Sequence, residues 1–321
     1  MNSIIQNILS LNRGVTKYGP APHKPILLLA VIESFENGEI TDNWIEITDD
    51  LFQHFHDIWR LLVKTPHTPN FSLPFYHLKN EKGDFWKLIT IPGKQIPTTK
   101  SKSIKSFKAL NDTVQAVQLS NEFFSSLLSP LTREELKDAI LEKYLGVKDD
   151  YRKFDKLRYS AVIKKEILYD PDENYSRKII KQYSEVPKEE KEELIVLRGS
   201  IFRKAILEIY DNQCSISGLK VLDLKNNPLV DACHITPFAE SYIDTIRNGI
   251  AMSPTFHRAF DKGLISISDS YKVLVNPGLR DFNPDSGLRK YENIEIHLPT
   301  EERFYPSQVH LKTHRKRFGF E

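Results

Sequence analysis

DACHITPFAESYIDTIRNGIAMSPTFHRAFDKGLIS, residues 231–266, is the stretch on which the reading of this chain turns. The run LVDACHITPF is strand-like, RNGIAMSP supplies a second strand, and Ser253-Pro254 opens a helix at FHRAFDKG, because proline is preset for a first helical turn. The expected order is strand, loop, strand, helix. Across it stand His234, Asn248 and His257, at separations of 14 and 9 residues. Four residues beyond His257 comes Asp261, which shares its helix face, so the pair can hold one ion together. Histidine is the side chain whose ordinary pKa suits taking a proton near neutral pH. Strand alternation sends Asp231 and Cys233 to the face opposite His234. Cys233 reads as a small buried filler, and Asp231 as either a hydrogen-bond partner at the strand edge or a third metal ligand.

Working outward, GSIFRKAILEIYDNQ reads as a helix leading into this unit, and before it the composition changes. From Lys148 to Glu193 charges of both signs alternate densely, with breaks expected at Pro171 and Pro187. The expected organisation is a domain over 1–147, a charged connector over 148–194 and a second domain over 195–321. A chain of 321 residues suits two cores. With 40% hydrophobic and 27% charged residues, wholesale disorder is excluded. The longest apolar run, Ile26 to Ile32, falls far short of the roughly 20 residues that cross a bilayer. The start MNSIIQNILS lacks the charged and apolar regions of a signal peptide, so a cytoplasmic protein with no membrane partner is expected. Two cysteines, Cys214 and Cys233, exclude a disulfide framework and a four-cysteine zinc site. No structural zinc is expected.

In the first domain, APHKPILLLAVIESFENGEI predicts one buried helix, opened by Pro22 and Pro25 and stopped at Asn37-Gly38. ITDDLFQHFHDIWRLLV predicts a second, capped by Thr48 or Asp49, with Leu51, Phe55, Ile58, Trp59 and Leu62 as its core stripe. LPFYHLKNEKGDFWKLIT reads as a hairpin turning at Gly83, and LSNEFFSSLLSPLTREELKDAILEKYL as helices separated and capped by Pro130 and Thr132. Trp44, Trp59 and Trp86 read as core. Net charge is only +2, but its distribution is uneven. No acid precedes Glu33, while Arg13, Lys17, His23 and Lys24 do; between Asp84 and Asp112 all six charges are lysines, among them Lys100, Lys102 and Lys105. The end, HLKTHRKRFGF, is basic as well. Three such segments favour a polyanionic partner.

Two resemblances attach to these residues. The string DACHITPF…NGIAMSPTFHRAFDKGLIS resembles the HNH nuclease motif, a ββα unit gripping a single metal ion, in its restriction-type branch over roughly residues 198–321. The resemblance implies phosphodiester hydrolysis with His234 as base, Asn248 orienting the loop, His257 and Asp261 as ligands with Asp231 as the candidate third, and Arg258 placed to clamp a phosphate. Many members place a metal-binding Asp or His where this chain has Cys233. Ser217 stands where zinc-bearing relatives complete a knuckle begun at Cys214. The string APHKPILLL with PFYHLKNEKGDFWKL resembles the sulfur-binding domain of McrA-like restriction nucleases that recognise phosphorothioated DNA. It places His23 and Lys24 at the DNA backbone and Pro74 in an apolar pocket for sulfur; where that family usually has Tyr, this chain has Leu73.

The expected fold class is therefore α+β in two domains, a mainly helical DNA-reading domain with a small β-hairpin followed by a ββα-metal nuclease domain. The implied function is a modification-dependent restriction endonuclease acting on double-stranded DNA, with one divalent ion per nuclease site, Mg2+ or Mn2+, and a homodimer formed through the nuclease half. Reading a methylated base, reading an unmodified sequence and non-catalytic DNA binding are the alternatives.

Overall fold

Seven consecutive apolar residues, Ile26 to Ile32, are all but inaccessible to solvent in the computed structural model of the chain. The structure describes residues 3–96, 104, 106–146, 158–224, 226–282 and 287–321. They divide into two units: residues 1–162 with 186–197, and residues 163–185 with 198–321.

In the first unit a short helix α1 (Ser3–Ile8) and a two-residue hairpin, β1 (Val15–Thr16) and β2 (Gly19–Pro20), precede α2 (His23–Glu36). Helix α2 is buried on every side from Pro25 to Phe35, with an apolar run over Ile26–Ile32, and forms the core. It ends at Asn37, with Gly38 at φ +73°. Strand β3 (Trp44–Glu46) leads to α3 (Asp49–Leu62), where the Thr48 hydroxyl accepts the Leu51 N–H and two aspartates face the positive end of the helix dipole. Its stripe, Leu51, Phe55, Ile58, Trp59 and Leu62, is buried, and α3 packs against α2.

The expected hairpin is half right. Residues 86–90 form strand β4 (Trp86–Thr90), but Ser72–His77 is a helix, α4. The Asn70 side chain accepts the Leu73 N–H and starts that helix. Phe71 and Phe75 then fall one above the other and stack at 5.4 Å, while the Trp86 indole N–H donates to the Phe75 carbonyl. The strand partner of β4 comes from later in the chain. After α5 (Phe107–Asn111), β5 (Val114–Leu119) sits between β3 and β4, antiparallel to both, with Trp44 opposite Gln118 and Trp86 opposite Leu119. Trp59 and Trp86 are core residues and Trp44 is half-buried. Helices α6 (Asn121–Leu128) and α7 (Pro130–Ile140) follow, capped by the hydroxyls of Ser120 and Ser129 rather than by Thr132, whose N–H is the one that Ser129 accepts.

Residues 147–157 lie outside the described part. The rest of the stretch read as a connector is helical: α8 (Tyr159–Tyr169), α9 (Asp172–Glu185) and the start of α10 (Lys188–Ile209), with Pro171 and Pro187 directly before two of them. It belongs to the two units instead of standing apart. Ile163, Ile167, Tyr175, Ile179 and Tyr183 are buried in the second unit, and Leu194 and Leu197 in the first. Within each helix these apolar positions recur every three or four residues, enough for one stripe, although the charges around them dominate the composition.

The second unit has the strand, loop, strand, helix order of the sequence reading. Strand β6 (Asp231–His234) pairs antiparallel with β7 (Gly249–Met252), Asp231 opposite Met252 and His234 opposite Gly249. The loop between them holds the short helix α11 (Phe238–Ser241). Helix α12 (Pro254–Asp261) begins directly after β7, then come the pair β8 (Ile265–Ile267) and β9 (Val273–Val275), and finally α13 (Gln308–Arg317). The fold class is α+β, with a mainly helical N-terminal part. No helix among the described residues is long and apolar enough to cross a membrane.

Candidate functional site

Strand β6 separates two chemistries by alternation alone. On one face, the His234 ring lies flat on Phe202 of α10, centroids 4.1 Å apart and 9° from parallel, and its Nε2 meets the Asp244 carboxylate at 2.8 Å. Asp244 is buried, and a carboxylate in this position accepts from an Nε2–H, the tautomer that leaves a lone pair on Nδ1. The loop bearing Asp244 is pinned by Asn248. Its Oδ1 accepts the Thr236 N–H at 2.8 Å, and its amide donates to the carbonyls of Thr236 and Ile243, each at 2.9 Å. Asn248 is fully buried and orients this loop without reaching His234 itself.

On the other face, His257 stands between two carboxylates. Its Nε2 is 3.4 Å from Asp261 Oδ2, one helical turn on, and its Nδ1 is 3.6 Å from Asp231 Oδ2. The donor cluster, with ligand atoms all within 4.8 Å of one another, is Cys233, His257 and Asp261. Cys233 thus takes the place that the sequence reading offered to Asp231. Its Sγ is 4.0 Å from Asp261 Oδ1, whereas Asp231, two residues earlier on the strand, sits behind the imidazole and also faces Arg203 at 3.6 Å. Burial, with the Asp261 and Asp231 carboxylates adding to it, pushes the Cys233 thiol well above the ordinary thiol range. The donor set fits a divalent ion: a sulfur, an imidazole nitrogen and a carboxylate on two rigid elements, with His257 and Asp261 open to solvent on one side. Arg258 is exposed on the same helix, and Ser253 leaves its first N–H groups without a side-chain cap, an arrangement that suits a phosphate.

Three residues here left no sequence signal strong enough to find. Asp244 stands in an aperiodic loop, Phe202 in a helix more than 30 residues away, and Gly249 looks like an ordinary strand residue. A Cβ on Gly249 would lie 2.2 Å from Ile206 Cδ1 and 2.7 Å from Phe202 Cζ, so its absence is what lets α10 close on the strand pair beside His234. Cys233 was within reach, since alternation already sent it, with Asp231, to the face opposite His234, and its position before the base is the one where many members carry a metal-binding residue.

The first unit gathers its predicted residues differently. Arg13, His23, Lys24, Leu73, Pro74 and His77 line one cavity of about 450 Å³. Pro74 sits on helix α4, buried, with Leu73 half-buried beside it. The His23 Nε2–H donates to the Thr68 carbonyl at 3.0 Å, and its ring tilts against Trp59 at 4.7 Å. Burial holds its pKa down to about 4 against the pull of that carbonyl, with His67 adding to the depression, so the ring is neutral at pH 7. His77 is lowered by burial and by Lys24 and Lys79. Lys24 is not a free cation: its ammonium is bonded to the Asn12 carbonyl and to the buried Glu81 carboxylate, whose second oxygen accepts the Asn12 N–H. Arg13 lies over the Tyr144 ring, and exposed Lys17 over Tyr18. Lys100, Lys102 and Lys105 lie outside the described residues.

The basic C-terminal segment also differs from its sequence appearance. It is the packed helix α13, in which Arg315 is buried on the Ile267 carbonyl and paired with Asp269 and Glu321, and Arg317 pairs with Glu240. Lys312 and Lys316 are exposed. Counting charges along the chain could not reveal that half of these cations are matched by distant acids.

Comparisons with known proteins bear on the second unit. Residues 214–268 match the family model of HNH endonucleases, HNH_2. No curated protein matches the chain. Among solved structures, the chain is similar to the modification-dependent TagI restriction endonuclease at 19% identity, with a TM-score of 0.29 over 36% of each chain, so the match spans about a third of that protein. It is also similar to the type IV phosphorothioation-dependent restriction endonuclease ScoMcrA at 11% identity, over 79% of this chain and 93% of that one, with a TM-score of 0.33.

Proposed function

We propose that this chain, a metal-dependent DNA endonuclease by its HNH domain at residues 214–268, cuts DNA in response to a phosphorothioate mark read by its first unit. The observation that carries the nuclease half is the division of labour across β6: a base candidate held by a buried carboxylate on one face and a three-donor cluster on the other. His234 Nδ1 takes the proton of the attacking water, and Asp244 stabilises the imidazolium that results. Asn248 keeps the loop between the strands in place. Cys233, His257 and Asp261 would hold a divalent ion, and Asp231 would orient the His257 ring from behind, as outer carboxylates do. Such an ion supplies Lewis acidity to the phosphate and to the departing 3′ oxygen. Arg258 and the uncapped start of α12 offer positive ends to the flanking phosphates.

The mark is read in the cavity bordered by His23, Leu73 and Pro74. Sulfur is larger, more polarisable and less strongly hydrated than the phosphate oxygen that it replaces, so the apolar part of the wall, Leu73 and Pro74, favours it. The neutral state of His23 and the pairing of Lys24 with Glu81 support this reading, because neither presents a free charge that would favour ordinary phosphate. Matched duplexes carrying a phosphorothioate, a 5-methylcytosine or no mark test it in one series of binding and cleavage assays. Tighter binding and faster cutting of the sulfur-bearing duplex are expected, with the preference reduced in Pro74→Ser. Equal binding of marked and unmarked duplexes overturns the sulfur reading, and preference for the methylated duplex transfers it to a base pocket.

A further inference from the structure

The Cys233 sulfur faces the same point in space as the His257 and Asp261 donors. It is fully buried, lies 4.0 Å from the Asp261 carboxylate and 3.6 Å from the His234 carbonyl, and forms no disulfide. A soft donor has been placed where a hard one would suit magnesium. Mg2+ demands near-ideal octahedral oxygen coordination and keeps several waters, while Zn2+ and its d-block neighbours accept sulfur, imidazole and carboxylate together and in catalytic sites use three protein donors with one position open.

We infer that the ion of this nuclease site is a thiolate-bound d-block dication of the Zn2+ or Co2+ kind, and that Cys233 makes the site discriminate against Mg2+. The inference rests on the nuclease reading above and names its cofactor class. As the ion enters, the metal–sulfur bond forms and the thiol proton passes to solvent, with no change of oxidation state. Thiolate and carboxylate together then carry two negative charges, which balance the dication, and His257 binds as neutral imidazole. The placement follows from the backbone: residue 233 precedes the base on a strand, so whatever side chain stands there must point at α12.

The test uses the full chain, freed of metal with a chelator and titrated with Co2+. One equivalent is expected to produce a near-ultraviolet thiolate-to-cobalt charge-transfer band. The band should be kept in Cys214→Ser and lost in Cys233→Ser. Zn2+ should displace the cobalt and a large excess of Mg2+ should not. Zn2+ affinity is expected to fall more than about 100-fold in Cys233→Ser, since even outer-shell partners are worth roughly 10–100-fold. Cys233→Asp, which substitutes an oxygen donor, should abolish the band and narrow the gap between Zn2+ and Mg2+. Cobalt that fails to bind, binds without the band, or keeps it in Cys233→Ser overturns the assignment, and the wild-type and Cys214→Ser spectra decide even if the Cys233 variants do not fold. The band in a protein that cuts no DNA with any metal supports this assignment and removes the nuclease reading. Mg2+-supported cutting by a protein that never shows the band does the reverse.

Discussion

The role of base proposed for His234 needs one tautomer, and the buried Asp244 carboxylate beside Nε2 is placed to favour it. Asp244→Asn keeps the shape but lets an amide N–H point at Nε2, which moves the ring proton to Nδ1 and removes the lone pair from the water. The cleavage rate should fall by roughly 10²–10⁴, the range for a lost general base, with DNA affinity unchanged; single-turnover cleavage near the wild-type rate would rule out this role for Asp244. His23 is the opposite case, a histidine kept neutral. Its folded pKa of about 4 lies below its unfolded value, so the stability that it contributes is complete above pH ~6.5 and is lost as pH falls toward 4. Between pH 6.5 and 5 the wild type should lose up to about 2 kcal/mol more than His23→Gln in urea unfolding. Matching pH profiles for the two proteins would contradict the buried neutral state. Lys24 is the third case. Since Glu81 is buried against it, Lys24→Ala leaves an unpaired carboxylate, at a cost of about 3–5 kcal/mol. The double variant Lys24→Met/Glu81→Gln should recover most of that loss. Equal denaturation midpoints for single and double variants would show that the pair does not act as one unit.

Helix α10 and the pair β6–β7 meet through a missing side chain. Gly249→Ala forces Phe202 and Ile206 outward, with an overpacking cost of about 1–3 kcal/mol. Because Phe202 carries the His234 ring, catalysis should fall together with stability. Adding Ile206→Ala makes room for the new methyl, so the double variant should regain cleavage beyond what independent effects allow. Strict additivity in both melting temperature and cleavage rate would separate α10 from the site. Elements also explain the sequence reading that failed: Phe75 and Tyr76 favour a strand locally, yet β4 pairs with β5 from later in the chain while Phe75 stacks on Phe71 at helical spacing.

At the scale of the whole molecule, one HNH site handles one phosphate at a time, and the chain carries one such motif. For both strands to be broken in one event, a two-fold pair of nuclease units on one DNA is the simplest way to face antiparallel strands. Light scattering with and without marked duplex, combined with a plasmid assay, checks this. Linear product should appear only where two copies share a DNA, with nicked circles dominating at limiting enzyme. Concerted double-strand cutting by a particle that remains a monomer would overturn it.

The sequence by itself determined what depends on spacing along one element: the buried helix α2, the stripe of α3, the strand, loop, strand, helix order, and the His257/Asp261 pair one turn apart. Period and spacing are properties of neighbouring residues, so they are legible without a fold. Only the tertiary structure decided which groups meet across elements. Asp244 and Phe202 reach His234 from a loop and a distant helix, Glu81 neutralises Lys24, Asp269 and Glu240 pair with Arg315 and Arg317 of the basic end, and Cys233 enters the donor cluster in place of Asp231. Each of these depends on a contact between positions far apart in the chain, where composition counts a charge or a thiol but the fold alone determines what stands opposite it.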